Sequence, residues 1–376
     1  MDFIKYLQFA KEATKNINSF KDIHIVIGNE SCDMDSTVSS LIFAYFLNKH
    51  KIPEIDDSAL VIPILNVSYE NFLLRSDNCF VLQECGISLN FLIYRDQLDF
   101  EEILKTNKLT TTLVDHHILA ATEKSLENTV IQIFDHRPVD PSNNWSNKKI
   151  DLNIKQVGSC STLIADKILE VDELFLNKEL AYLIYETIVY DTVALLPENG
   201  RAKELDLIIA KKLEEKFSFK EERKVVFEKL WAAHNDISHL TPTQILSKDL
   251  KIVENTPVPG LPMLVESFLK LDDAYTAIEK FAEKYKVSLL VLIGLDANRE
   301  VKRDIGIFWK NGSKDLKDIL LSKLKCSEDL KGYSFCLTEV CTGYKDIICL
   351  RQNNTKLSRK QIIPLIKDAI LENVNI

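Results

Sequence analysis

At 376 residues the chain is long for one domain, so two are expected, and its 46% hydrophobic and 27% charged composition can bury full cores. The net charge of −9 argues against a general nucleic-acid or membrane binder, which would carry basic surfaces. It leaves room for an anionic substrate, because a local basic pocket acts over a Debye length of about 8 Å. Eight cysteines (Cys32, Cys79, Cys85, Cys160, Cys326, Cys336, Cys341 and Cys349) form no C-x-x-C pair. They read as reduced or as small buried apolar residues, with no disulfide framework.

The first element is an amphipathic helix with apolar Phe3, Ile4, Leu7 and Ala10 and lysines between them. It lacks the uninterrupted apolar core of a signal peptide. No run approaches the ~20 apolar residues of a membrane span. A soluble, cytoplasmic protein is the expectation.

Strand-like runs then follow at His24–Ile27, Ala59–Leu65, Asn90–Tyr94, Thr111–Val114 and Val130–Phe134. Helix-like runs lie at Thr37–Asn48, Cys160–Leu169 and Lys178–Tyr190. This alternation predicts an α/β domain with a mainly parallel sheet and helices on both faces. In V-G-S-C-S-T-L, Ser159 or Ser161 is expected to cap the following helix. Lys203–Phe227 is strongly charged and reads as a solvated helix and interdomain connector. The second half predicts strands at Val287–Leu292, Ile305–Trp309 and Asp346–Leu350, and helices at Ala274–Lys284 and from Ser358 to the end, a smaller α/β domain.

Chemistry concentrates at strand ends. I-H-I-V-I runs into G-N-E-S-C-D-M-D-S, with Asp33 and Asp35 one residue apart. T-L-V-D-H-H ends in Asp115, His116 and His117, and I-Q-I-F-D-H-R-P ends in Asp135, His136 and Arg137. Asp191 follows the apolar A-Y-L-I-Y-E-T-I-V-Y. Parallel strands share one carboxyl-end edge, where such sheets place ligands, so these groups can converge. A lone D-x-D is more often a turn with a helix cap, and His24, mid-strand, reads as packed. Charged residues are rarely buried unpaired, however, and here they recur at one edge. Four carboxylates with one or two imidazoles suit Mn²⁺ or Mg²⁺ better than zinc. Two such metals ~3.5–4 Å apart would clamp a phosphoryl group, with a bridging hydroxide as nucleophile.

These motifs, together with V-G-S-C-S-T-L, L-T-P-T-Q-I-L-S-K-D-L-K and L-S-R-K-Q-I-I-P-L-I, resemble the DHH phosphoesterase superfamily, and within it the prune proteins and yeast-type cytosolic exopolyphosphatases. The resemblance implies a DHH domain at 1–215, a linker at 216–235, a DHHA2 domain at 236–376, and an active site in the cleft between the domains. It implies that Asp33 and Asp115 hold a first metal and that Asp35, Asp115, His136 and Asp191 hold a second. His117 and Arg137 would face the phosphate. Asn29 and Arg137 stand where family II pyrophosphatases carry histidines, which favours the polyphosphatase and prune reading, with Asn29 among the substrate contacts. Ser358-Arg359-Lys360 opens a helix, and Arg359, Lys360 and, behind them, Lys251 become phosphate contacts; Lys248 and Arg303 are weaker candidates.

The expected function is a Mn²⁺- or Mg²⁺-dependent exopolyphosphatase releasing orthophosphate from short-chain inorganic polyphosphate. The alternatives are a 3′,5′-cyclic-nucleotide phosphodiesterase, with Tyr344, Phe308 and Trp309 available to wall a base, and a scaffold binding nucleoside diphosphate kinase.

Overall fold

The computed structural model describes residues 2–139, 145, 149–297, 300–310, 312–340 and 343–374. They divide into two compact units, Met1–Asn235 and Asp236–Ile376. Among the described residues no helix is long and apolar enough to cross a membrane.

The first unit is built on five strands, β1 (Asp22–Ile27), β2 (Leu60–Ile64), β3 (Lys108–Val114), β4 (Val130–Asp135) and β5 (Asp151–Ile154). They lie in the order β2-β1-β3-β4-β5 and every pairing is parallel. Every residue of β1 is buried, so both faces of the sheet are covered there. His24 is packed as expected: its ring nitrogens meet the hydroxyls of Thr110 and Thr112 at 2.9 and 3.1 Å, and burial pushes its pKa down to about 3. The chain leaves β1 toward β2 on one side and β3 on the other. The crevice between β1 and β3 is therefore the switch point at which doubly wound sheets bind ligands.

One expected strand is absent. Over Asn90–Tyr94 the chain forms a short 3₁₀ turn, Leu89–Phe91, and then a single parallel bridge from Tyr94 to Leu65. The Ser88 hydroxyl accepts from the Asn90 amide, and such local turn bonds compete with a ladder. The charged stretch forms two helices, Glu204–Phe217 and Arg223–Asn235, and the second buries Val226, Leu230 and Ala233. Exposed i,i+4 pairs such as Lys211–Glu215 agree with a solvated face.

The second unit carries β6 (Asp249–Val253), β7 (Thr256–Leu261), β8 (Leu289–Asp296), β9 (Lys302–Trp309), β10 (Leu337–Val340) and β11 (Ile347–Gln352) in the order β10-β11-β9-β8-β7-β6. All pairings are antiparallel except β7 with β8. The β6–β7 hairpin, absent from the sequence reading, turns on Glu254 and Asn255, both at positive φ (44° and 64°). That geometry suits a tight two-residue turn, but Glu-Asn is a weaker signal for it than Asn-Gly. Helices Ala274–Lys284 and Arg359–Val374 form where expected. Cys32, Cys79, Cys160 and Cys349 are buried, and the described cysteines are all free; Cys341 lies outside the described residues.

Candidate active site

Asp33 caps the helix Met34–Lys49, accepting from the Ser36 amide at 3.1 Å. Asp35, in the first turn, is buried and reaches the start of the helix Cys160–Val171. There it accepts from the amides of Cys160 (2.5 Å) and Ser161 (2.7 Å) and from the Ser161 hydroxyl (2.7 Å). The expected serine cap is thus replaced. Ser159 makes no capping bond, and the carboxylate of Asp35 takes the free amides, as helix N-termini favour anions. Burial raises the Asp35 pKa, the Asp33 charge adds to it, and His136 opposes it.

Asp115 follows β3 with φ of 60°, a left-handed conformation uncommon outside glycine. Its Oδ2 accepts from Asn29 Nδ2 (2.7 Å) and Ser36 Oγ (2.6 Å). Its Oδ1 lies 3.2 Å from His136 Nε2 and 3.7 Å from Arg137 Nη2. Burial, then the Asp35 charge, push its pKa up to about 7. His136 Nδ1 meets the Val157 carbonyl at 3.1 Å, which aims Nε2 at Asp115 and, at 4.0 Å, at Asp35. A ring held this way presents Nε2 as a ligand. Burial works to lower the His136 pKa, but the bond to Asp115 and the charges of Asp35 and Asp115 prevail and raise it to about 9.

The two histidines of D-H-H point elsewhere. His116 lies 3.3 Å from Glu123 Oε1, and that buried carboxylate also accepts from Asn66 Nδ2 (2.7 Å) and the Ala120 amide (2.8 Å). His117, expected to face the phosphate, is buried with Nδ1 bonded to Asp135, and its carbonyl accepts from Trp145 Nε1 at 2.6 Å. Asp135 uses its other oxygen to accept from the amides of His136 (2.7 Å) and Arg137 (3.2 Å). His117 therefore stands behind the site and supports the residue that pins His136 and Arg137. Asn29, expected among the substrate contacts, has both ends of its amide engaged. Nδ2 goes to Asp115, and Oδ1 accepts from the Ser31 hydroxyl (2.5 Å) and the Cys32 amide (3.1 Å).

Asp33, Asp35, Asp115, His136, Arg137 and Asp191 converge on one cavity of about 340 Å³. Val157, Gly158 and Arg201 complete its lining. Arg201 was not anticipated; its only signal is being the first cation after Asp191. Among the described residues the buried Asp191 Oδ2 accepts no hydrogen bond, and the buried Asp115 Oδ1 faces His136 and Arg137 alone. Burial, with the charges of Asp35 and Asp33, pushes the Asp191 pKa well up. One ligating atom each from Asp35, Asp115 and His136 lies within 4.8 Å of the others. Buried carboxylate oxygens grouped around a fixed imidazole fit a hard divalent cation.

In the second unit Arg359 is held in place by Asp249. Its Nη2 donates to Asp249 Oδ1 (2.7 Å) and its Nη1 to the Asp249 carbonyl (2.8 Å), and its side chain is only 16% exposed. A Cβ on Gly260 would lie 2.7 Å from Arg359 Nη1, so glycine makes the room for it. Lys251 and Lys360 are exposed, and Arg303 Nε donates to the Thr355 carbonyl at 3.1 Å. Of the aromatics considered for a base wall, Phe308 is fully buried in the core. Trp309 lies beneath Lys317, and Tyr344 stacks on Tyr275 at 4.7 Å.

Two family models match the chain, "DHH family, N-terminal domain" over residues 24–188 and "DHHA2 domain" over 228–369. Exopolyphosphatase PRUNE1 of Bos taurus is 31% identical over 371 residues, covering 97% of this chain and 79% of that protein. A putative exopolyphosphatase of Schizosaccharomyces pombe is 25% identical over 401 residues, covering 97% of each. Among solved structures, a putative family II inorganic pyrophosphatase from Methanococcus jannaschii aligns with a TM-score of 0.47 and 20% identity, covering 92% of this chain and 99% of that one.

Proposed function

Because the chain belongs to the DHH phosphoesterase family, in the branch of prune proteins and exopolyphosphatases, and is a hydrolase, we propose that it removes terminal phosphate from short-chain inorganic polyphosphate. The observation that carries this reading is the cavity in which four aspartates, His136 and two arginines meet. Asp33 and Asp115 would hold one divalent cation, and Asp35, Asp115, His136 and Asp191 a second, Mn²⁺ or Mg²⁺ in each place. Such cations, when bound, supply Lewis acidity toward water and toward phosphoryl oxygens.

The chain's own residues do the rest. Asn29 and Ser36 fix one oxygen of Asp115 and leave the other facing His136. Asp135, steadied by His117, locks the backbone of His136 and Arg137. The Arg137 side chain is half-exposed, and its fork can take two non-bridging phosphoryl oxygens. Lys251, Lys360 and Arg359, the last pre-oriented by Asp249, are the proposed contacts for the remaining phosphates.

The test is orthophosphate release from tripolyphosphate with Mg²⁺ or Mn²⁺. Wild type should release it and Asp115→Ala should not; equal release from both overturns the assignment. A 3′,5′-cyclic nucleotide assayed beside it should be cleaved more slowly, since the burial of Phe308 removes one wall considered for a base.

A further inference from the structure

The helix Lys178–Asp191 delivers Asp191 to the cavity, and the chain leaves it in an unusual way. Val193, Ala194 and Leu195 have φ of 53°, 59° and 58°, three successive side-chain-bearing residues in the left-handed region. Glycine enters that region freely, whereas a β-branched residue there is an outlier. Such backbone persists only where its surroundings hold it, and it clusters at ligand clamps.

Here the surroundings are explicit. The Ala194 amide donates to the Val189 carbonyl at 2.8 Å, and Ala194 and Leu195 are buried. Thr192 packs so tightly on Gly158 that a Cβ there would lie 2.4 Å from the Thr192 methyl and 3.2 Å from the Arg201 carbonyl. The far end of the segment is tied by Asp206, a buried acid that no sequence motif marked. Its carboxylate accepts from the amides of Gly158 and Lys203, both at 2.7 Å, and from the Thr162 hydroxyl at 2.6 Å.

The product of this bracing is the placement of Arg201 in the lining of the cavity. It is exposed and makes no hydrogen bond or ion pair among the described residues. Arg223, Arg351 and Arg359, by contrast, are each paired with a carboxylate. Arg201 and Arg137 in one lining give the site two arginines, which suits an anion with two linked phosphates better than a single phosphate ester.

We propose that Arg201 is a substrate-binding residue that holds the phosphate next to the one at Arg137, positioned by Asp206 and the left-handed turn. The proposal rests on the reading of the site as one that cleaves linked phosphates, and it names the unit recognised, a diphosphate.

The experiment measures KM and kcat on tripolyphosphate for wild type, Arg201→Ala, Arg201→Lys, Asp206→Asn and the Arg201→Ala/Asp206→Asn double variant. Calorimetric binding of imidodiphosphate, whose P–N–P link resists cleavage, runs beside it. Arg201→Ala should raise KM roughly tenfold to a hundredfold, the worth of a charge-assisted hydrogen bond, with kcat within about threefold. Arg201→Lys should recover part of that loss, since it keeps the charge and loses the fork. Asp206→Asn should raise KM less and add nothing in the double variant; an additive effect overturns the positioning role. An unchanged KM in Arg201→Ala, with wild type active, overturns the role of Arg201 and leaves the hydrolase reading standing. If wild type releases no orthophosphate yet loses imidodiphosphate affinity on Arg201→Ala, the hydrolase reading falls and Arg201 stands. No imidodiphosphate binding by wild type overturns the proposal.

Discussion

Asp191→Asn separates a site built around cations from a merely acidic crevice. The scale comes from the neighbouring pair. Oxygens of Asp35 and Asp115 lie within 4.8 Å, and two unit charges at that distance repel by about 3.5 kcal/mol at an effective dielectric of ~20. Asp191 adds another buried carboxylate to the same field, with Oδ2 accepting no hydrogen bond among the described residues. An isosteric amide removes the cost of keeping that group in the metal-free site, whether it is met as a buried charge or as a proton taken up against its raised pKa. In excess EDTA, Asp191→Asn should therefore be more stable than wild type by about 1–3 kcal/mol, a fraction of the pairwise figure because the chain relaxes and the amide brings its own donors. At roughly 2–4 °C per kcal/mol for a unit of this size, the first unit should melt about 2–12 °C higher. With Mn²⁺ at about a hundred times its Kd, wild type should gain about 2.7 kcal/mol and the variant little, which removes or inverts the order. Scanning calorimetry in EDTA and in Mn²⁺ reads both arms, and orthophosphate release should be lost in the variant. A variant that melts below wild type in EDTA by more than about 1 kcal/mol, or that keeps the full Mn²⁺ shift, refutes the reasoning.

Three further substitutions probe the frame. Glu186 is buried between helices, and burial, aided by Glu84 and opposed by Lys229, pushes its pKa up to about 8 from 4.5. The folded state thus holds a proton that the unfolded chain releases, so stability is present near pH 4.5 and is lost as pH rises through 8, by on the order of 3–5 kcal/mol. Glu186→Gln should match wild type near pH 5 and melt above it at pH 9; parallel melting curves across that range would sink the assignment. Asp304, buried in the second unit, accepts from the amides of Val265 (2.8 Å) and Glu266 (3.1 Å). Asp304→Ala should destabilise that unit by about 2–4 kcal/mol and leave the Mn²⁺ shift of the first unit intact, as separate calorimetric transitions would reveal. Asp135→Ala frees His117 and the amides of His136 and Arg137. Orthophosphate release should fall at least about tenfold at temperatures where circular dichroism shows the fold retained; undiminished release would remove Asp135 from the support of the site.

The acids that converge were legible because of where they stand. A strand of I-H-I-V-I or T-L-V buries on both faces, so a charge at its end has one edge to go to, and parallel strands share that edge. What each acid does there depends on donors that arrive from distant segments. Asp35 is met by amides 125 and 126 residues away, and Asp115 by Asn29 and Ser36, 86 and 79 residues away. The solvated reading of Lys203–Phe227 holds for Lys211 and Glu215 and fails for Asp206, because periodicity in a charge-rich helix does not mark which acid turns inward. D-H-H reads as a functional motif with roles for Asp115 and His117, yet both of its histidines find acids of their own, Glu123 and Asp135, behind the site. Donor accounting separates these acids where sequence position cannot. Asp135, Asp206 and Asp304 are satisfied by amides and side chains, and their work is to hold backbone. Among the described residues Asp191 Oδ2 is buried and accepts nothing, and Asp115 Oδ1 is buried facing His136 and Arg137 alone, a state that costs stability unless a cation completes it. Stability spent at those two oxygens, beside a three-residue left-handed turn, marks the centre of the site more sharply than the number of acids around it.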